Sequence, residues 1–294
     1  MAVNMDYRDG IGVETLIALN KCFRRPVHPF NLEDEGKETF AEWEFEQSKR
    51  LNTYYLPEID LLNEIKGKTM LDIGAGGGGK TTFYAINGAT RLTGIDTEEG
   101  FINQAREFAS SRNAANIDFV VADAEEMPFH DDSFDMCVMN DVFEHVSKPE
   151  AVLKEVHRVL KPGGKVFINS PPYFHPYGAH LTDVIGIPYV HLLFPEPVLI
   201  NAYKKLALTT KSAEKRIGLR FGIVDSREQI TYINKMTIAR FERIIRNQRQ
   251  FETVLYKLIP LKHQGRFLLK TPLRECFTKM LVYVGEKRPT VGAS

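Results

Sequence analysis

Residues 71–80, LDIGAGGGGK, decide the fold of this chain. The apolar run TMLDI (69–73) leads into a turn with glycine at 74, 76, 77, 78 and 79. Glycine permits positive φ and lets the backbone approach a ligand closely. The amide groups that open the next helix are also free to donate. The Gly74-x-Gly76-x-x-Gly79 order matches the dinucleotide fingerprint and predicts a nucleotide-type site after a buried strand.

The sequence around this turn alternates between short apolar runs and helical stretches. Further strands are predicted at 91–95, 117–121, 134–139 and 165–170, with helices near 80–87, 99–113 and 149–160. Such alternation is typical of an α/β fold with a parallel sheet covered on both faces. Right-handed crossovers make that sheet doubly wound. Two runs at 251–260 and 275–287 predict its final strands.

The chain divides into four predicted regions. They are an N-terminal helical segment at 1–66, a core at 67–170, an insertion with a helix at 171–249, and the final strands and tail at 250–294. Residues 171–226 are rich in Pro, Gly, His and aromatic residues and are predicted to be irregular, while residues 227–249 are predicted to return to helix. Because a long irregular insertion is commonly functional, this one is predicted to form a cap with the N-terminal segment.

Composition indicates a globular protein, with 43% hydrophobic and 26% charged residues among 294. No apolar run reaches the roughly 18 residues that a membrane helix needs. The N-terminus lacks a secretory pattern, and the three dispersed cysteines are typical of reduced thiols, so we expect a cytoplasmic protein.

Charge is neutral overall but unevenly placed. Residues 201–288 contain 20 Lys and Arg against 7 Asp and Glu. This excess indicates either a solvated face or a basic surface that attracts an anionic substrate or makes peripheral contact with a membrane. The neutral total argues against dedicated nucleic-acid binding.

Three further segments follow the glycine turn. Asp96 ends the second predicted strand, where a carboxylate can accept both hydroxyls of a ribose. Asp123 and Ala124 end the third strand, and SFDMCVMNDVFEHV (133–146) contains the fourth. A helix then stops at Lys161-Pro162-Gly163-Gly164 before the fifth strand.

Together these segments resemble class I S-adenosylmethionine-dependent methyltransferases, especially those acting on small molecules and lipids. The motifs run from about residue 69 to 170, a third of the chain. The resemblance implies a Rossmann-like sheet of seven strands, and S-adenosylmethionine as the cofactor. It implies cofactor contacts for Asp72, Gly74, Ala75, Gly76, Asp96, Thr97, Asp123, Ala124 and Asn140. The glycine run at 76–79 is longer than the family's pattern, which either leaves extra room or lets Lys80 meet an anion.

The resemblance places His145 near the transferring methyl group. A neutral imidazole is a suitable base for a hydroxyl nucleophile, although the Glu144-His145 pair can equally serve packing or capping. A less favoured alternative is a divalent metal held by Asp141, Glu144 and His145 on a helical turn. Its fourth ligand would come from His175, His180 or His191.

The insertion is the predicted acceptor pocket. Its aromatic and histidine side chains combine apolar walls with polar tips, as pockets commonly do. The predicted substrate-binding residues are Tyr173, His175, Tyr177, His180, Tyr189 and His191. The alternative is a structural flap over the sheet edge.

The sequence therefore predicts methyl transfer to a small or lipid-like acceptor, with oxygen favoured over carbon and nitrogen. Two other classes of protein stay open. One is a cofactor-binding scaffold without turnover, and the other is a nicotinamide-dependent oxidoreductase.

Overall fold

The structure, a computed structural model, describes residues 10–288 apart from the side chains of residues 263–265. The chain forms two compact units. Of the described residues, the helical unit comprises 10–39 and 173–235, and the sheet unit comprises 40–172 and 236–288. These boundaries differ from the four predicted regions, because residues 40–66 and 236–249 both belong to the sheet unit.

The sheet unit is built on one seven-stranded sheet with the order β3-β2-β1-β4-β5-β9-β8. Its strands are β1 (Thr69–Ile73), β2 (Arg91–Asp96), β3 (Ile117–Val121), β4 (Phe134–Asn140), β5 (Leu160–Ser170), β8 (Phe251–Pro260) and β9 (Thr278–Lys287). The first five strands are parallel, and β9 pairs antiparallel with β5 and β8. The predicted fold, a mostly parallel seven-stranded sheet of the Rossmann-like methyltransferase type, is confirmed.

Helices cover this sheet on both faces. They are α3 (Phe40–Ser48), α4 (Asn52–Tyr55), α5 (Leu61–Glu64), α6 (Gly79–Ile86), α7 (Glu99–Ser111), α8 (Pro149–Val159), α12 (Ile238–Asn247) and α13 (Arg274–Phe277), with a 3₁₀ helix at His263–Lys270. One core cluster joins α8 and α12 to the sheet, and another joins α3 and α6 to it. Among residues 10–288, no helix is both long and apolar enough to cross a membrane.

The helical unit contains α1 (Ile11–Asn20), α2 (Pro29–Asp34), α9 (Val190–Leu193), α10 (Glu196–Ala207), α11 (Ala213–Arg220), and a hairpin of β6 (Phe221–Val224) and β7 (Arg227–Ile230). The prediction that residues 171–226 are irregular is therefore wrong. The prediction of helix over 227–249 is confirmed for α12 (Ile238–Asn247) and wrong for residues 227–230, which form β7. Asp225 and Ser226 both have positive φ, 49° and 60°. Positive φ at both central residues defines the type I′ turn of a two-residue hairpin, although no glycine signals it here.

Buried ion pairs hold the two chain segments of the helical unit together. Arg216 and Arg220 are almost fully buried, and both contact the buried carboxylate of Asp183 at 3.1 Å. Arg216 also pairs with Asp34 at 2.8 Å and donates to the Asn31 amide oxygen. A buried charge without its partner is costly, so this cluster fixes how residues 10–39 pack against residues 173–235.

Ion pairs of this kind also reduce the free positive charge of the basic C-terminal third, residues 201–288. Within the described part of the chain, six of its cations pair with acids that precede residue 201, and the six are Lys205, Arg216, Arg220, Lys235, Lys257 and Lys287. Part of the local excess is thus neutralised within each unit. Arg243, Arg246 and Arg249, at the end of α12 and just beyond it, are exposed.

Candidate cofactor site and active site

The glycine turn after β1 is pinned to the end of β2. The N–H groups of Gly74 and Ala75 both donate to the Ile95 carbonyl at 2.8 Å, and the N–H of Gly76 donates to Asp96 Oδ2 at 3.0 Å. Gly74, Gly76 and Gly78 have φ values of +71°, +52° and +79°, which favour glycine. The predicted turn residues are thus brought together with Asp96.

The extra glycines make room for helix α3. A Cβ on Gly77 would lie 3.1 Å from Ala41, and one on Gly79 would lie 2.2 Å from the Ala41 carbonyl oxygen. A Cβ on Gly76 would lie 3.0 Å from Glu44 Oε1 and 3.2 Å from Phe40 Cε1. The two predictions do not exclude each other, because α3 occupies the room that the glycines leave and Lys80 lies 3.2 Å from the Asp141 carboxylate.

Asp72 supports the turn from within β1. Its carboxylate is buried and accepts the Thr81 hydroxyl at 2.7 Å. Burial raises its pKa to about 6.

Asp96 lies at the end of β2, where the two predicted ribose hydroxyls would need acceptors. Its carboxylate accepts N–H groups from Gly76 and, at 3.1 Å, from Glu98. Burial raises its pKa although these N–H groups oppose the shift. Each carboxylate oxygen has more than one acceptor site, so Asp96 can hold the turn and still accept from a ligand.

The predicted adenine contacts differ in exposure. Thr97 is exposed beside Asp96. Asp123 is exposed, and its Oδ1 accepts the Glu125 N–H at 2.8 Å, whereas Ala124 is buried in the sheet unit's core. All three residues lie at the carboxyl ends of β2 and β3, where ligands bind in open α/β sheets.

The Asn140 side chain is directed into the core. Its Nδ2 donates to the Tyr84 hydroxyl at 2.9 Å, and its Oδ1 accepts from Asn169 Nδ2 at 2.6 Å. Asn169 also donates to the Tyr55 hydroxyl at 3.2 Å. The predicted contact of Asn140 with the amino-acid end of the cofactor therefore stays open only for its backbone. Its carbonyl accepts Lys80 Nζ at 3.1 Å.

Two charged residues beside the turn were missing from the predicted set. Glu44 of α3 is 4% exposed, and burial raises its pKa to about 8. Lys80, at the start of α6, lies 3.9 Å from Glu44 Oε1 and 3.2 Å from Asp141 Oδ2. Burial lowers the pKa of Lys80, but the charges of Asp141 and Glu44 more than offset that and hold it above its ordinary value.

The signal for Glu44 is its position in the α3 pattern. The buried residues of α3 are Ala41, Glu44, Phe45 and Ser48, at the i, i+3, i+4, i+7 spacing of a helix's inner face. An acid on that face indicates either a buried partner or a ligand.

The segment Asp141–His145 forms a turn after β4 instead of the predicted helical turn. Asp141 has a positive φ of 57°, and its carboxylate is directed to Lys80. Glu144 is 3% exposed, accepts the Ser170 hydroxyl at 2.9 Å, and lies 3.8 Å (Oε1) from His145 Nε2. Two of the three predicted metal ligands are therefore adjacent, whereas Asp141 is held by a lysine.

Burial raises the pKa of the Glu144 carboxyl to about 8, and the charge of Asp141 adds to the shift. The His145 side chain is 22% exposed. It is accessible enough to meet a substrate, and the predicted base role remains a prediction.

Within the helical unit, the predicted acceptor residues contact one another. The Tyr173 and His191 rings lie 4.8 Å apart, and His175 Nδ1 accepts the Tyr177 N–H at 3.2 Å. Burial lowers the pKa of His191 to about 4. His180 and Tyr189 have positive φ values of 53° and 56°.

A cavity of about 10 Å³ inside this unit is lined by residues that include Tyr177 and His191. It is far below the roughly 300 Å³ that small-molecule pockets begin at. The acceptor role of these residues therefore remains a prediction.

A separate open groove of about 1060 Å³ lies at the outer, amino-terminal end of the sheet. Arg91, Arg106, Asp118 and Phe129 are among the residues that line it. Arg91 and Asp118 pair across it at 2.9 Å. None of the predicted site residues lines this groove. Ligands of open α/β sheets bind beyond the carboxyl ends of the strands, so the groove's size does not make it the cofactor site.

The residues at the carboxyl ends of the strands fit S-adenosylmethionine. Gly74 and Gly76 carry no side chain themselves, so the backbone of the turn can be approached closely, and Asp96 presents acceptors beside it. Several carboxylates and one lysine surround the turn, which suits a cofactor that carries a sulfonium cation. The fold and this site are those expected of a class I S-adenosylmethionine-dependent methyltransferase domain.

Comparison with known proteins supports that class. Residues 71–168 match the methyltransferase domain family. The chain is 35% identical over 160 residues to the ubiquinone biosynthesis O-methyltransferase of Pseudomonas syringae pv. tomato, covering 52% of this chain and 65% of that protein. It is 32% identical over 146 residues to the protein of the same name from Coxiella burnetii strain Dugway 5J108-111, covering 50% of this chain and 61% of that protein. The chain thus spans less than two thirds of either relative.

Among solved structures, the fold is similar to that of a proposed sarcosine dimethylglycine methyltransferase of Galdieria sulphuraria. The TM-score is 0.54 at 16% identity, covering 88% of this chain and 97% of that one. At this identity the likeness concerns the fold alone. Residues 71–168 therefore match a methyltransferase domain within a fold of that type, and the cofactor of such domains is S-adenosylmethionine.

Proposed function

We propose that this protein transfers the methyl group of S-adenosylmethionine to a hydroxyl oxygen of a small, lipid-like acceptor. The observation that carries the proposal is the position of His145, partly exposed on the turn that follows β4 at the cofactor end of the sheet. The O-methyltransferases of ubiquinone biosynthesis that the chain resembles support oxygen as the methylated atom.

S-Adenosylmethionine supplies an activated methyl group. The chain must therefore bind and orient the cofactor and the acceptor, and it must remove a proton from the acceptor's hydroxyl. The turn at 74–76, with Asp96, would hold the cofactor in one orientation. Such alignment removes much of the entropic barrier to an in-line transfer. His145 would take the acceptor's proton as the new oxygen–carbon bond forms.

The base favours an aromatic hydroxyl. A phenol has a pKa of about 10, and an imidazole one of about 6.5, so proton transfer between them is moderately uphill at neutral pH. An aliphatic alcohol is a far weaker acid. We therefore infer a phenolic acceptor, such as a quinone precursor with an apolar tail.

Glu144 would orient His145 in this scheme. Its Oε2 is fixed by Ser170, and its Oε1 faces the imidazole at 3.8 Å. A carboxylate at this position stabilises an imidazolium once the proton has moved. Because the raised pKa of Glu144, about 8, keeps most of it protonated at pH 7, we expect kcat to rise between pH 7 and 8.5 as the carboxylate forms.

The acceptor's wider character is part of the same proposal. Tyr173, His175, Tyr177, His180, Tyr189 and His191 are the proposed acceptor contacts. Exposed Arg243 and Arg246 would favour an acceptor with an anionic group, or a membrane surface that delivers it.

The test is methyl transfer from labelled S-adenosylmethionine to a panel of catechols and prenylated phenols. His145→Gln should lower kcat by roughly 10²–10⁴-fold, the usual contribution of a general base, and leave S-adenosylhomocysteine affinity within about twofold. His157→Gln, on α8, is the matched control and should change neither value. Turnover that is unaffected by His145→Gln would refute the base assignment. Transfer to amines but not to phenols would refute the acceptor class.

A further inference from the structure

A buried carboxyl and a buried ammonium flank the glycine turn. The Glu44 carboxyl lies over Gly76, where a Cβ would meet its two oxygens at 3.0 and 3.3 Å. The N–H of Gly79 donates to this carboxyl. Among the described residues, none makes a hydrogen bond to Glu44 Oε2.

Such an acceptor is unusual in a folded protein. Buried polar atoms are nearly always hydrogen-bonded, and an exception calls for an explanation. A ligand that brings a hydrogen-bond donor to Glu44 Oε2 would be such an explanation. The groups that face Glu44 are Lys80 from α6, Asp72 from β1 and Asp96 from β2. Three carboxyls, those of Glu44, Asp72 and Asp96, thus surround one ammonium, that of Lys80. This position is therefore suited to a further cation.

Lys80 occupies the other side of the same place. Its Nζ donates to the Asn140 carbonyl at 3.1 Å and to Asp141 Oδ2 at 3.2 Å, and the side chain is 12% exposed. Only 3.9 Å separates it from Glu44 Oε1. A carboxyl and an ammonium are thus presented as a pair beside Gly76.

The amino-acid end of S-adenosylmethionine is the complementary pair. It carries an ammonium with three donors and a carboxylate with only acceptors. We propose that the Glu44 carboxylate accepts hydrogen bonds from the cofactor's ammonium and that Lys80 pairs with the cofactor's carboxylate. One residue of α3 and one residue of α6 would then bind the amino-acid end of the cofactor together. This inference depends on S-adenosylmethionine being the cofactor, and it does not depend on the identity of the acceptor.

A proton should move when the cofactor binds. With a pKa of about 8 in the protein without cofactor, Glu44 holds its proton at pH 7. An adjacent ammonium favours the charged carboxylate, and so binding should release close to one proton at pH 7. The affinity of the protein for S-adenosylhomocysteine should therefore rise between pH 6 and 7.5.

The experiment compares two ligands by titration calorimetry at pH 7 in phosphate and in Tris. S-Adenosylhomocysteine has the amino-acid end, and 5′-methylthioadenosine lacks it. The intact protein should release about one proton with the first ligand and none with the second. Glu44→Gln should lose that release and bind S-adenosylhomocysteine at least tenfold more weakly, with methylthioadenosine affinity changed less than twofold. Glu46→Gln, an exposed acid on the same helix, is the matched control and should behave like the parent.

Methylthioadenosine binding also reports whether each variant folds. Should Glu44→Gln bind neither ligand, Lys80→Gln decides: a selective tenfold loss for S-adenosylhomocysteine supports the pairing, and an equal loss for both ligands overturns it. Equal proton release with both ligands, or unchanged selectivity in Glu44→Gln, would likewise overturn it. If the intact protein bound neither ligand, the cofactor assignment itself would fail.

Discussion

The contact between α3 and the glycine turn can be tested with one methyl group. In Gly79→Ala, the new Cβ would lie 2.2 Å from the Ala41 carbonyl oxygen and 2.6 Å from the Phe45 nitrogen. Both are backbone atoms, so no side-chain rotation relieves the overlap. Carbon atoms in contact are normally about 3.5–4.0 Å apart, so α3 must move away by roughly 1 Å.

The expected cost follows from that displacement. Overpacking of a close interface lowers the unfolding free energy by about 1–3 kcal/mol. A glycine-to-alanine change in a helix raises it by about 0.5–1 kcal/mol. We expect Gly79→Ala to lose about 1–2 kcal/mol of unfolding free energy. At about 2–4 °C per kcal/mol for a unit of this size, Tm should fall by roughly 2–8 °C.

Gly100→Ala is the matched control. Gly100 lies in the first turn of α7, and a Cβ there meets nothing within 4 Å. This variant should gain about 0.5–1 kcal/mol from helix propensity alone. Urea unfolding followed by far-UV circular dichroism measures both variants. A Gly79→Ala protein as stable as Gly100→Ala would refute the close packing of α3 on the turn.

Three further outcomes are expected. Asp96→Ala removes the acceptor of the Gly76 and Glu98 N–H groups and should weaken S-adenosylhomocysteine binding by about 1–3 kcal/mol in calorimetry; unchanged affinity would exclude Asp96 from the site. Gly74→Ala, with its Cβ 2.4 Å from Val142, should weaken that binding at least tenfold, and Val142→Ala in the same chain should restore part of it, whereas no restoration would point to backbone strain alone. The protein without cofactor should lose about 1 kcal/mol of stability between pH 7 and 9 from Glu44 alone. Its folded pKa of about 8 exceeds the unfolded value, so the stabilisation is complete below the unfolded pKa and disappears as pH rises through 8. A Glu44→Gln protein with the same pH dependence of urea unfolding as its parent would contradict this.

Four of the five parallel strands could be predicted from the sequence to within one residue, whereas β5 begins at Leu160, five residues before its predicted start. TMLDI at 69–73 and IDFVV at 117–121 have the same bounds in the structure. Central strands of a parallel sheet are buried on both faces and therefore appear as continuous apolar runs. The glycine turn and Asp96 were predictable for a related reason, because both are local features at strand ends.

Contacts between distant segments could not be predicted in the same way. The Glu44 carboxyl faces Gly76 because α3 packs on α6, and no local pattern specifies that pairing. Helix was predicted from residue 227, yet Asp225 and Ser226 turn the chain into a hairpin at 221–230. Asn140 was correctly placed at a strand end, but its side chain pairs with Tyr84 and Asn169, which approach from elsewhere in the chain.

The buried ion pairs of the helical unit have a consequence for synthesis on the ribosome. Asp34 and Arg216 are 182 residues apart in sequence. At roughly 5–20 residues per second, Asp34 is made about 10–35 s before the arginine that neutralises it. Over that interval α1 and α2 lack the segment that completes their core, while β1–β5 are already emerging. The nascent N-terminal segment is therefore exposed to chaperones and proteases throughout that interval.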